Sequence, residues 1–118
     1  MEFKIYQNQS NKQIIVSKDA LNLDGWVELI ANTTDASQEK HVPVYEVRCG
    51  KARVSVGSVG HPMSAEHLIE WVMVTTNQGY QVKYLSADGT PEVAFSLSAG
   101  EKIDGVYAYC NLHGLWKA

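Results

Sequence analysis

The chain holds only four histidines and two cysteines in 118 residues, and the four histidines and the second cysteine stand at strand ends or in loops where they could form one donor set. His41 opens a strand in "EKHVP". His61 and His67 bracket the short loop "HPMSAEH". Cys110 and His113 are separated by Asn111 and Leu112 in the closing "YCNLHGLWKA". Any one histidine alone reads as a surface or hydrogen-bonded structural residue. Loop and strand-end positions, however, let side chains from separate strands meet at one rim of a β-domain. Four imidazoles and one thiolate are one donor too many for a closed tetrahedral zinc site. Nitrogen donors with one soft sulfur suit iron, copper or nickel. Five protein donors leave an octahedral ion one free position, and a thiolate pushes electron density onto the metal it binds. The set points to inner-sphere redox chemistry on a small molecule.

The elements that must position these side chains are mostly strands. The runs "KQIIVS", "GWVELI", "VPVYEVR", "ARVSVGSV", "LIEWVMVTT", "YQVKYL", "EVAFSL" and "IDGVYAY" are rich in Val, Ile and Tyr and several alternate apolar with polar residues. Turn signals separate them at "DG" (24–25), "CGK" (49–51), "NQG" (77–79), "ADGTP" (87–91) and "AGEK" (99–102). "NQGYQVKYL" following "LIEWVMVTT" reads as a hairpin. The one helix-like segment is "HPMSAEHLIE", where Ser64 could cap a turn, but it is too short to hold a helix alone. Many short strands at regular spacing predict a sandwich or partly closed barrel. The polar stretch "NTTDASQEK" (32–40) reads as a linker between a small N-terminal piece and the main body.

Composition narrows the function classes. A chain of this length makes one ordinary domain with room for a small appendage. Its 45% hydrophobic and 19% charged residues are those of a globular chain. A net charge of −3 argues against nucleic-acid binding, which needs a basic face. No stretch reaches the roughly 18 to 20 apolar residues of a membrane span, and the polar opening "MEFKIYQNQSNKQ" lacks a secretory signal. A cytoplasmic location is therefore expected, where two cysteines are thiols or ligands rather than a disulfide.

Three stretches, "EKHVPVYE", "VSVGSVGHPMSAEHLIEWV" and "YCNLHGLWKA", closely resemble the superoxide reductases, the neelaredoxin and desulfoferrodoxin proteins, from about Asn32 to Ala118. The resemblance implies an all-β fold, an immunoglobulin-like β-sandwich carrying one mononuclear non-haem iron. It implies His41, His61, His67 and His113 as equatorial ligands and Cys110 as the axial thiolate. The implied reaction is reduction of superoxide to hydrogen peroxide by one electron and two protons, with rubredoxin as electron donor and a homodimer or homotetramer as the assembly. Glu39 resembles the carboxylate that fills the sixth position in the oxidised resting state, and Lys40 the cation beside the open site.

Two-iron members of that family begin with a small domain whose four cysteines hold a second iron. Residues 1–38 contain no cysteine. The expectation is a small N-terminal β module without metal (1–38, with the linker) that serves packing or dimerisation, followed by the iron-binding sandwich (39–118). Cys49, in "VRCGK", matches no family ligand and reads as a structural or surface thiol. Two rival readings remain at this level. One is an immunoglobulin-type interaction domain with a Cys49–Cys110 disulfide against Trp71, although the tyrosine corner would need Tyr where Ala108 stands. The other is a pure electron carrier, which needs no free coordination position.

Overall fold

The computed structural model describes all 118 residues as ten strands and one short helix. The strands are β1 (Lys4–Asn8), β2 (Ile14–Ser17), β3 (Trp26–Leu29), β4 (Pro43–Arg48), β5 (Lys51–Val56), β6 (Ile69–Thr76), β7 (Gly79–Tyr84), β8 (Glu92–Ser96), β9 (Ile103–Cys110) and β10 (Gly114–Lys117). The helix α1 spans Gln38–His41. Three antiparallel sheets result, with strand orders β2-β1-β3, β10-β9-β6-β7 and β4-β5-β8. The last two face each other as an immunoglobulin-like sandwich; the first is the small N-terminal sheet. No helix is long and apolar enough to cross a membrane.

The central strands β6 and β9 of the four-stranded sheet are buried on both faces, and their side-chain alternation divides the apolar residues between two cores. Ile69, Val72, Val74, Val106, Ala108 and Cys110 point into the sandwich and pack against Ala52, Val54, Val56 and Phe95. Trp71, Met73, Tyr109 and Leu115 point the other way and pack against Ile5, Ile14, Val16 and Leu29 of the N-terminal sheet. The molecule is therefore three layers deep, and the N-terminal sheet covers an apolar face that the sandwich would otherwise leave in water. Burial of side chains the size of Trp71 and Leu115 contributes about 1.5–3 kcal/mol each.

A β-bulge makes this division possible beside the candidate ligands. Ile69 lies opposite Cys110, but Trp71 lies opposite Tyr109, so Glu70 is an extra residue in β6. Without it, Ile69 and Trp71 would share a face. With it, Ile69 stays in the sandwich core beside Cys110, and Trp71 turns outward to stack on Tyr109 at 5.4 Å and 7°.

The eight sequence-predicted strands are all present, as is the β6–β7 hairpin across Asn77 and Gln78. Two strands, β1 and β10, were not anticipated. The helical residues also fall elsewhere than expected. "HPMSAEHLIE" forms no helix: Ser64 and His67 exchange backbone hydrogen bonds, and the Ser64 hydroxyl accepts a further one from the His67 N–H at 3.2 Å. Ser64 thus caps a turn. The single helical turn, α1, closes the stretch read as a linker, so His41 ends a helix and the strand starts at Pro43.

Candidate metal centre

Three segments far apart in the chain deliver the side chains. Helix α1 carries His41, the loop after β5 carries His61 and His67, and the β9–β10 turn carries Cys110 and His113. Candidate ligand atoms of His41, His61, His67 and Cys110 lie within 4.8 Å of one another. The Nδ1 atom of His113 lies 3.0 Å from Nε2 of His41 and 3.8 Å from the Cys110 sulfur. All five sequence-predicted donors thus come to one place.

The four imidazoles form a closed cycle. Neighbouring ring centroids are 4.7 Å (His41–His61), 4.7 Å (His61–His67), 5.2 Å (His67–His113) and 4.8 Å (His113–His41) apart. Neighbouring rings stand nearly perpendicular, at 72°, 82°, 76° and 86°. The diagonal His41–His67 separation is longer, 6.3 Å. Ligand atoms of three of these rings, His41, His61 and His67, converge with the Cys110 sulfur, and His113 closes the cycle with its Nδ1 against Nε2 of His41.

Outer hydrogen bonds decide which nitrogen that is. Nδ1 of His41 donates to the Ser37 carbonyl and Nδ1 of His61 to the Pro62 carbonyl, each at 2.6 Å. Both contacts place the proton on Nδ1 and turn the Nε2 lone pair inward, where that of His41 meets Nδ1 of His113. The Nε2 atoms of His61 and His67 are buried and have no hydrogen-bond partner in the protein. Buried polar atoms without partners are costly. Two in one cluster, beside a buried sulfur, fit a metal cation as the missing partner, and the mixed nitrogen and sulfur set fits iron.

Electrostatics favour neutral rings. Burial is the main cause that lowers the His61 pKa to about 4, outweighing the hydrogen bond to Pro62, and the neighbouring imidazoles lower it further. Burial also lowers His41 and His67, with Lys40 adding to both. Neutral imidazole is the ligating form. Burial raises the Cys110 thiol, against backbone N–H groups of Leu112 and His113 that stabilise the thiolate; Glu70 adds to the rise. A bound cation would reverse that balance and draw off the thiol proton.

Two clamps that sequence reading passed over hold the segments in register. Asn111 bridges the ligand turn to the His67 loop: its Oδ1 accepts from the Leu68 N–H at 3.0 Å, its Nδ2 donates to the Glu66 carbonyl at 3.1 Å, and its own N–H donates to Leu68. The second clamp seats α1 on the loop after β5. The Gly57 N–H donates to the Val42 carbonyl, and the Val59 N–H and Ser58 hydroxyl both donate to the Glu39 carbonyl. Trp116 then stacks on His41 from the far side, 5.0 Å between centroids and 24° between planes, while its indole N–H donates to the His113 carbonyl. The only sequence signal for Asn111 was its place between two candidate ligands.

Glu39 and Lys40 are exposed on α1, immediately before His41. The Glu39 carboxylate lies outside the converging ligand atoms, while Lys40 is close enough to act on His41 and His67. Cys49 is exposed in the β4–β5 turn and Cys110 is buried, and both are free, so the intersheet disulfide of the rival reading is not formed.

Comparison with known proteins agrees with this geometry. The family model of desulfoferrodoxin matches residues 33–118. A desulfoferrodoxin of Clostridium acetobutylicum is 47% identical over 92 residues, covering 77% of this chain and 70% of that one. The crystal structure of the superoxide reductase from Treponema pallidum superposes with a TM-score of 0.88 at 38% identity, covering 100% of this chain and 99% of that chain. The one-iron superoxide reductase of Giardia intestinalis superposes with a TM-score of 0.58 at 30% identity, covering 68% of this chain and 95% of that chain.

Proposed function

Because the chain belongs to the desulfoferrodoxin and superoxide reductase family, we propose that it reduces superoxide to hydrogen peroxide, consuming one electron and two protons, at one mononuclear iron per chain. His41, His61, His67, His113 and Cys110 would hold the iron. Bound iron would supply the electron, alternating between ferrous and ferric, and a coordination position open to the substrate. The observation that carries this reading is the cycle of four near-perpendicular imidazoles beside a buried cysteine, with unpartnered Nε2 atoms within it.

The chain's own residues prepare each part of that task. Hydrogen bonds to Ser37 and Pro62 fix two imidazoles with their lone pairs inward, so little reorganisation accompanies metal uptake. Backbone N–H groups of Leu112 and His113 stabilise negative charge on the Cys110 sulfur. The ammonium of Lys40 attracts the small anion toward the cluster, and the flexible, exposed carboxylate of Glu39 serves as an exchangeable acid group at its edge. Residues 1–38 form a metal-free module and 39–118 the catalytic unit; rubredoxin is the electron donor and the protein acts as a homodimer or homotetramer.

Anaerobic purification with metal analysis, a visible spectrum and stopped-flow reaction of the reduced protein with superoxide test the proposal. One iron per chain and rapid one-electron oxidation by superoxide are expected. A colourless protein without iron, or no reaction with superoxide, overturns it.

A further inference from the structure

A cleft of about 460 Å³ opens between the N-terminal sheet and the four-stranded sheet, with Phe3 and Lys18 on one side and Thr75, Tyr107 and Lys117 on the other. It lies at the end of β6 and β9 remote from the imidazole cycle. Cys110 pairs with Ile69 at one end of that ladder, and Gly105 pairs with Thr75 near the other. The run from Gly105 to Cys110 spans roughly 17 Å of extended chain. The cleft and the metal centre are therefore separate places.

Each layer turns a cation into it. Val16 of β2 packs toward the four-stranded sheet, and Lys18, two residues beyond, lines the cleft from the same side. Lys117 pairs with Tyr107, and its ammonium stands 5.5 Å from the centre of the Tyr107 ring. Neither lysine has a carboxylate within reach: Asp104 is held by the Met1 amine, and Glu28 by Lys4 at 4.0 Å. The exposed Glu2 is the one further carboxylate on the rim, so the cleft is net positive in a chain of net charge −3. Hydroxyl groups accompany the cations. Thr75 is 3% exposed, and its Oγ1 lies 2.9 Å from where a β-carbon on Gly105 would stand. The Tyr107 hydroxyl lies 3.4 Å from that same point, so glycine at 105 lets both gather over one stretch of backbone. Phe3, edge-on against Tyr80 at 5.2 Å, adds an aromatic wall.

We propose that this cleft binds a small phosphate ester, its phosphate between Lys18 and Lys117 and its organic part against Phe3 and Tyr107. A phosphate presents three acceptor oxygens and up to two negative charges, which matches two ammonium groups with hydroxyls beside them. The cleft is of the size of small-molecule sites, whose usual lining is aromatic surface with a few placed polar groups. A bound ester would bridge Lys18 of the N-terminal module and Lys117 of the sandwich. Occupancy would then hold the two layers together, because only the docked form presents both cations. The inference is independent of the reaction proposed above.

Calorimetric titration of the iron-loaded full chain with adenosine monophosphate, at fixed ionic strength, tests the site. One saturable site per chain is expected. Lys18 and Lys117 are both exposed, so their alanine variants keep the fold. Lys18→Ala and Lys117→Ala should each weaken binding about tenfold or more. Lys51→Ala removes the same charge from the β4–β5 hairpin and should leave binding unchanged. The nucleotide should also raise the urea midpoint of the wild type, and not that of the variant lacking both cleft lysines. No binding, or a loss in Lys51→Ala as large as in the cleft variants, overturns the proposal. Inorganic phosphate forms the second arm. Weaker binding of inorganic phosphate supports an ester held by Phe3 and Tyr107. Equal or tighter binding overturns the ester and assigns the cleft to the free anion.

Discussion

A β-carbon added to Gly57 would lie 2.6 Å from the carbonyl oxygen of Lys40. The same atom would meet the Glu39 carbonyl at 2.8 Å, and Gly57 holds φ at +83°. The close approach lets α1, with Glu39, Lys40 and His41, sit directly on the loop that leads to His61. Gly57→Ala is therefore expected to cost about 2 kcal/mol or more of stability and to weaken metal binding about tenfold by shifting His41. Gly60→Ala, three residues on, meets nothing within 4 Å and serves as the control. Urea midpoints and competitive metal titration of both variants decide the matter; equal behaviour would show that the clamp does not set the ligand position.

The Cys110 sulfur supplies the only thiolate among the five donors. Cys110→Ser should abolish the sulfur-to-iron charge-transfer colour and most activity, while Cys49→Ser, remote in the β4–β5 turn, leaves the spectrum as it was. An unchanged visible band in Cys110→Ser would remove Cys110 from the ligand set.

Lys40 faces an anionic substrate on a chain of net charge −3. Its removal in Lys40→Ala should lower the second-order rate with superoxide about tenfold, within the range ascribed to electrostatic steering. With a Debye length of about 8 Å at physiological salt, added salt should slow the wild type and affect the variant less. Pulse radiolysis across ionic strengths measures both; parallel salt dependence would leave Lys40 a solvated surface charge.

Glu39 is exposed, with its carbonyl rather than its carboxylate engaged in the fold. Glu39→Ala should therefore leave stability within about 0.5 kcal/mol and the first encounter with superoxide fast, while altering the spectrum of the oxidised resting protein. Identical oxidised spectra would mean that this carboxylate never reaches the iron.

Metal-free protein should lose stability in mild acid. His41, His61 and His67 all bind a proton less readily in the fold than in the unfolded chain, where histidine titrates near pH 6.5. Acid thus protonates the unfolded state first. Stability is full above about pH 6.5 and falls as the pH drops through the folded His61 value of about 4. Cys110 acts at the other end: its raised pKa makes alkali favour the unfolded thiolate, so stability also declines above the ordinary thiol range. Urea midpoints of the metal-free protein at pH 7.5, 6 and 4.5 give the acid limb, and a flat series would contradict the burial of these rings.

What the sequence disclosed was governed by how local each signal is. Eight strands announced themselves through Val, Ile and Tyr in short runs between turns. Strand β1 did not, because "KIYQN" is half polar and its buried Gln7 belongs to an interface that only the three-layer packing creates. Helix α1 was hidden because Ser37 makes no side-chain cap and four residues carry no periodicity. The five donors could be named from residue type and from family resemblance. Their order around the cycle could not, since it depends on ring orientations set by Ser37, Pro62 and Trp116. Asn111 and Gly57 act through contacts to Leu68 and Lys40, 43 and 17 residues away, and nothing beside them in the chain marks those partners.

The three tryptophans divide the protein optically. Trp26 lies on β3 of the N-terminal sheet, Trp71 in the core between that sheet and the sandwich, and Trp116 against His41. Each is an emitter in a different layer. Iron at the imidazole cycle would quench Trp116 most strongly, detachment of the N-terminal sheet would redden Trp71, and Trp26 would respond to the far surface. Variants that keep one tryptophan each would turn a single fluorescence trace into separate records of metal loading and of module docking.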